Sequence, residues 1–401
     1  MKLTFNFLET TRQFTARRSP SPQPSPAGRG RIVPRAGKDM NAYGFFPDAR
    51  SFLPLPAGEG LRVRENVSHN FKYWISLALL TVLTLTTSAA PKLKLGTLAP
   101  VGTSYHKSLM TMAESWRKDS GGTVDLNIFA GGKLGGEAEM VGLMKLNSLQ
   151  CAMLTTAGIS EIEPGVLGLQ NIPMGFRTLE EVDYVGEKLR PMLEKRLEEK
   201  GFVVLFWTDA GWIRFFSNKP VTHPDDLKKL KLFTWSGFPA QVEIYKSAGF
   251  NAVPLETADI VPSLQTKLID AVPAPPFFAM AGQMDSRAPY MVEVNWAPIV
   301  GALVVRKETW EKIPADVRAK LMTAAATAGA EIKASGRKEM TDSVTAMEKR
   351  GLKVTKLTPE IEAEWRAAAE AVYPQIRGKV VPEDIFDQAV KYIKEYREQK
   401  K

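Results

Sequence analysis

From Lys92 onward, short apolar runs of strand length alternate with longer amphipathic runs, and this alternation limits the chain to an α/β fold. Residues 92–98, 123–129, 203–207 and 230–235 read as strands, 149–155 is again short and apolar, and 213–217 is a further such segment. Residues 106–118, 137–146, 179–200, a stretch from Pro224 and 240–248 read as helices. Beyond 302–306 helical sequence dominates. Pro314-Ala315-Asp316 opens a long Ala-rich helix toward Arg350, followed by a strand at 352–357 and two more helical stretches. The alternation predicts parallel sheets covered by helices, more than one sheet, and chain crossings between them. In α/β sheets ligands sit at the carboxyl ends of strands, and between two lobes that position becomes a cleft.

The charge is unevenly placed. The 401 residues carry a formal charge of +9, but twelve of the 53 Lys/Arg and only five of the 44 Asp/Glu lie in the first 90 residues, so that stretch holds seven of the nine. The remainder, near neutrality, has no basic stripe for a phosphate backbone, and nucleic acid is not an expected partner. Residues 1–66 are rich in Pro, Gly and Arg, and Pro24-Ser25-Pro26-Ala27-Gly28 recurs as Pro54-Leu55-Pro56-Ala57-Gly58. Such a stretch is expected to be disordered. Lys72, the apolar run 75–85 and the small residues Thr87-Ser88-Ala89-Ala90 then match a secretory signal, assigned to 67–90, with cleavage near Ala89 or Ala90. The run is well short of the ~20 residues that a membrane span requires, so no stable insertion is expected after cleavage. A signal some 70 residues into the chain implies that translation truly begins near Val67 and that the preceding leader follows from an upstream start.

Catalytic and metal-binding patterns are missing from the sequence. The glycine pairs of Gly131-Gly132-Lys133-Leu134-Gly135-Gly136 are not closed by Gly-Lys-Ser/Thr and read as a strand-to-helix connection. His106 and His223 stand apart from any Cys or second His, so no zinc site is expected. Glu137, Glu139, Asp225 and Asp226 sit where helix starts favour acidic residues. There is no Gly-x-Ser-x-Gly elbow, and the single Cys151 lies in an apolar run with no cationic neighbour. Neither an enzyme nor a cofactor is therefore expected.

What remains is Arg214, set in Gly211-Trp212-Ile213-Arg214, together with Phe233, Trp235, Phe277 and Trp296. A guanidinium enters an apolar segment when an anion meets it. That anion is either a ligand carboxylate or an internal carboxylate that ties lobe to lobe.

These residues carry a resemblance to the DctP-like substrate-binding receptors of tripartite ATP-independent periplasmic (TRAP) transporters. The matching pieces are Leu98-Ala99-Pro100 with Thr103-Ser104-Tyr105-His106, Ala130-Gly131-Gly132-Lys133-Leu134-Gly135, Gly211-Trp212-Ile213-Arg214 leading into Ser217-Asn218-Lys219-Pro220, Asp225 to Leu232, and Leu264 to Asp270. The resemblance implies a periplasmic binding protein-like α/β fold, with two lobes around a ligand cleft, crossing segments and C-terminal helices. One lobe is expected from 91–211 plus about 300–339, the other from 212–299 plus about 340–401. It further implies a periplasmic receptor that closes on a small organic ligand and delivers it to TRAP membrane permease subunits. The ligand-binding residues expected on this basis are Arg214, Phe233, Trp235, Trp212, Phe277, Trp296, Tyr105 and His106.

Two positions depart from the family pattern. The arginine that commonly follows the Lys-Leu pair is Phe233 here, and the family asparagine is matched by Ala274. With one cation left, a second buried carboxylate would be uncompensated. The expected ligand is therefore larger and mostly apolar or aromatic, with at most one acidic group held by Arg214. A small C4-dicarboxylate receptor and a ligand sensor for a signalling system are the alternatives.

Overall fold

In the computed structural model, which describes residues 92–400, nine strands run in chain order as β1 (Lys92–Thr97), β2 (Asp125–Phe129), β3 (Cys151–Thr155), β4 (Phe202–Ser217), β5 (Lys231–Trp235), β6 (Asn251–Leu255), β7 (Ala271–Ala274), β8 (Tyr290–Arg306) and β9 (Lys353–Thr355). The leader 1–66 and the signal 67–90 lie outside the described residues.

The strands form one mixed sheet in the order β2-β1-β3-β8-β4-β7-β5-β6, with β9 added to β8. This corrects the expectation of several parallel sheets. β1 is parallel to β2 and β3, and β5 is parallel to β6 and β7, but β3 meets β8, β8 meets β4 and β4 meets β7 antiparallel. The separate stretches expected at 203–207 and 213–217 are the two ends of the single strand β4, and 302–306 is the end of the equally long β8. β8 joins β3 and its parallel neighbours at its C-terminal end, β4 joins β7 and its parallel neighbours at its own C-terminal end, and the two pair with each other along their length, so β4 and β8 are shared by both lobes.

The two long strands are not regularly paired. Asp209 opposes Val300 and Trp212 opposes Pro298, which leaves one extra residue on β4. Gly211 there has φ +74, a left-handed conformation that costs glycine nothing, and a Cβ would lie 2.7 Å from Met340 Sδ. Further along, Ile213 opposes Ala297 but Phe215 opposes Val292, so residues 293–296 of β8 bulge out of the ladder.

Helices cover both faces of each half, giving four apolar cores. Helix Ser104–Asp119, capped by Thr103, buries Tyr105, Leu109, Met112 and Trp116 at helical spacing against Leu93, Leu95, Leu303 and Val305. The 34-residue helix Ala315–Glu348 is about 51 Å long at 1.5 Å per residue and reaches both lobes. Its Leu321, Ala325 and Ile332 pack in that first-lobe core, while its Met347 packs with Phe233, Val272 and Met291 of the second. Helix Pro359–Glu370 seats Trp365 on Phe215 in the second lobe. The last helix, Glu383–Gln399, instead packs Ile385, Phe386 and Ala389 with Val185, Leu189 and Leu193 of Leu179–Glu199 in the first lobe. The expected grouping of 340–401 with the second lobe therefore does not describe 383–399. No helix among the described residues is long and apolar enough to cross a membrane.

Strands β6 and β7 were not foreseen. Each contains a proline, Pro254 and Pro273, which argues against a central strand. β6 lies at the sheet edge, and β7, although it sits between β4 and β5, is paired with β5 only at Ala271, so Pro273 has no ladder partner on the β5 side.

Candidate functional site

The antiparallel crossing determines where a ligand could go. β1 and β3 run toward the middle of the sheet from one side and end at Thr97 and Thr155; β5 and β7 run toward it from the other and end at Trp235 and Ala274. Thr155 opposes Gly301, and Ala274 opposes Arg214, so the strand carboxyl ends converge on the irregular stretch between them, 209–213 of β4 and 297–300 of β8.

A cavity of about 290 Å³ lies there. Thr97 to Pro100, Met153 to Thr155, Thr208 to Ala210, Ile213, Phe233 to Trp235, Pro273 to Pro275 and Trp296 line it, with Tyr105, Phe277 and Phe278 from adjoining helices. The Tyr105 and Phe277 rings stack at 5.0 Å, joining the first-lobe helix to the short helix Pro276–Ala281 that follows β7. Tyr105 Oη donates to the Asp209 carbonyl at 3.1 Å, and burial pushes its hydroxyl pKa well up, so the phenol stays a donor. Trp296 Nε1 donates to Tyr245 Oη at 3.1 Å, and Trp235 Nε1 to Glu256 at 3.1 Å, which fixes both indoles against the wall.

Of the eight residues expected to bind ligand, the structure brings Tyr105, Phe233, Trp235, Phe277 and Trp296 to this cavity and leaves three elsewhere. Arg214 is the principal correction. Its neighbour Ile213 faces the cavity, while the guanidinium turns away: Nη1 lies 2.6 Å from Glu293 Oε1, and Nη2 donates to Asn295 Oδ1 at 3.3 Å. Both partners belong to the β8 bulge, so the anion that draws Arg214 into an apolar segment is the protein's own. Trp212 is buried in the first-lobe core. His106 lies in the first turn of its helix, where Nδ1 accepts from Gly102 N at 3.4 Å.

Polar cavity residues went unrecognised in the sequence. Glu137 accepts from Thr155 N (2.8 Å), Thr155 Oγ1 (2.6 Å) and Gly158 N (2.9 Å). Burial pushes its carboxyl above the ordinary glutamate value, against the pull of those hydrogen bonds. Asp209 is held by Arg337, which donates from Nη2 at 2.7 Å and from Nε at 3.1 and 3.2 Å and also grips Asp183. Thr208 Oγ1, Thr234 Oγ1 and Asn171 Oδ1 are buried with no hydrogen-bond partner among the described residues. Only a resolved fold identifies such groups, because threonines and asparagines carry no sequence signal of this kind.

A sheet whose two halves direct their strand ends into one cavity has the architecture of a two-lobed solute-binding protein. Residues 95–379 match the model of the bacterial extracellular solute-binding protein family 7, DctP, and the chain belongs to that family. It is 25% identical over 288 residues to the C4-dicarboxylate-binding periplasmic protein DctP of Rhodobacter capsulatus, an alignment covering 70% of this chain and 84% of that one. Among solved structures it is similar to a TRAP periplasmic solute-binding protein from Sulfurospirillum deleyianum with bound succinate, at TM-score 0.68 and 23% identity over 74% of this chain and 97% of that one. It is also similar to the sugar acid binding protein DctPAm from Advenella mimigardefordensis in complex with galactonate, at TM-score 0.71 and 19% identity, covering 76% and 98%.

Proposed function

We propose that this protein is the extracytoplasmic receptor of a TRAP transporter, resident in the periplasm, which captures an organic solute with extensive apolar or aromatic surface and passes it to membrane permease subunits. The observation that carries the reading is the cavity at the convergence of four strand ends, walled by Phe233, Trp235, Phe277 and Trp296. Lobe closure about β4 and β8, the strands shared by both halves, would seal it, since hinge motion concentrates where a few residues absorb the backbone change. Native mass spectrometry of protein purified gently from the periplasm tests this. A retained solute, lost on denaturation and restored on refolding with extract, is the expected result; no retained mass and no stabilisation by any extract fraction would overturn it.

A receptor for small dicarboxylates is the second reading. The name of the Rhodobacter relative favours it, and titration with succinate tests it directly.

A further inference from the structure

Resting on the receptor reading, we propose that the ligand is uncharged: a ring-bearing compound with hydrogen-bonding substituents and no carboxylate, unlike the acids bound in the solved relatives. Among the described residues lining the cavity, none is Lys, Arg or His. Charge on the wall comes only from Glu137 and Asp209. Arg337 is engaged with Asp209 and Asp183, and Arg214 turns from the cavity to Glu293, so neither guanidinium lines the wall. A carboxylate entering this cavity would lose its hydration and gain no counter-charge.

Two further features oppose an anion. Helix Glu137–Lys145 and the backbone N–H groups of Thr155 and Gly158 would attract one, but the Glu137 carboxylate already takes those donors. Beside the lining residue Glu137, Glu139 and Glu256 both approach Gly136: their Oε2 atoms lie 2.7 and 3.4 Å from where its Cβ would be. Glu256 follows β6 and holds Trp235 of the adjoining β5, while Glu139 belongs to the first-lobe helix, so acidic side chains from both lobes meet at Gly136. A cation fares no better in the cavity, because Asp209 is already neutralised by Arg337 and the Glu137 oxygens are occupied. The uncharged polar residues on the wall, among them Thr208, Thr234, Asn171 and Gln241, instead suit neutral hydroxyl or amide groups on an otherwise apolar ligand.

The test is calorimetric and thermal-shift titration of the purified protein with three matched probes, 4-hydroxybenzamide, 4-hydroxybenzoate and 4-hydroxybenzylamine, beside succinate and galactonate. The amide should bind at least tenfold tighter than the benzoate or the amine, and Thr208→Val or Thr234→Val should weaken it about three- to tenfold. Equal or tighter binding of the benzoate, the amine, succinate or galactonate overturns the proposal and leaves the receptor reading standing. Binding of none of the five, together with no solute retained on purification, overturns both.

Discussion

Replacing Arg214 with Met tests whether this guanidinium serves the fold or the ligand. The side chain is buried, its Nη1 contact to Glu293 is 2.6 Å, and the Asn295 contact is longer at 3.3 Å. A hydrogen bond to a charged group contributes about 1.5–3 kcal/mol. Two features reduce that here. The Glu293 side chain is 37% exposed and can be rehydrated when its partner leaves, and Arg214 Nε is buried without a partner, so its removal recovers a desolvation cost. The net loss is about 1–2 kcal/mol, which for a body of this size lowers Tm by roughly 1.5–3 °C. Glu293→Gln should cause a similar loss, and the double variant should be less destabilised than the sum of the two singles, the mark of a coupled pair. Differential scanning calorimetry reads the stability, and native mass spectrometry reads the retained solute. Arg214→Met that leaves Tm unchanged yet abolishes ligand retention, with Glu293→Gln silent in both, would refute the assignment and return Arg214 to the ligand.

Phe233→Arg introduces a cation at a wall position and should raise affinity for 4-hydroxybenzoate or succinate at least tenfold in calorimetric titration; unchanged acid affinity would place residue 233 outside the recognition surface. Arg337→Met leaves the buried Asp209 carboxylate unpaired and should cost about 2–4 kcal/mol in urea denaturation, the usual loss discounted for the partial exposure of Arg337, with Asp209→Asn in the same chain restoring most of it. Because the Glu137 carboxyl is raised above its ordinary value of 4.5, the folded protein binds more protons than the unfolded chain just above pH 4.5. Stability should therefore decline as pH rises from that point through the folded pKa, and the slope should be shallower in Glu137→Gln when denaturation is followed between pH 4.5 and 8.

Much of the fold is legible because its elements are long or strongly periodic. Helix Ser104–Asp119 buries residues at 105, 109, 112 and 116, and the run from Leu179 to Glu199 buries 182, 185, 189, 193 and 197, so each stripe is visible in sequence. Strand pairing is less visible. Nothing local distinguishes β4 as one strand of sixteen residues from two short ones, because Asp209, Ala210 and Gly211 read as a loop until β8 is laid beside them. Direction is equally hidden: the antiparallel crossings at β4 and β8 depend on which strands the connections bring together, and they turn the expected separate sheets into one.

The misplacement of Arg214 has the same origin and says something about how the cavity is made. In a strand, side-chain direction depends on counting from a fixed register, and β4 breaks register three times before Phe215. Arg214 is thus both beside the cavity in sequence and turned from it in space. The residues it holds, Glu293 and Asn295, flank Val294 and precede Trp296 in the stretch of β8 that leaves the ladder. A bulge of this kind re-aims the side chains after it, and here Trp296 and Ala297 emerge into the cavity, with the indole fixed by Tyr245. The guanidinium that looked like a ligand anchor instead grips two side chains of the irregular segment that leads into the aromatic wall, and none of the described residues lining the cavity is Lys, Arg or His.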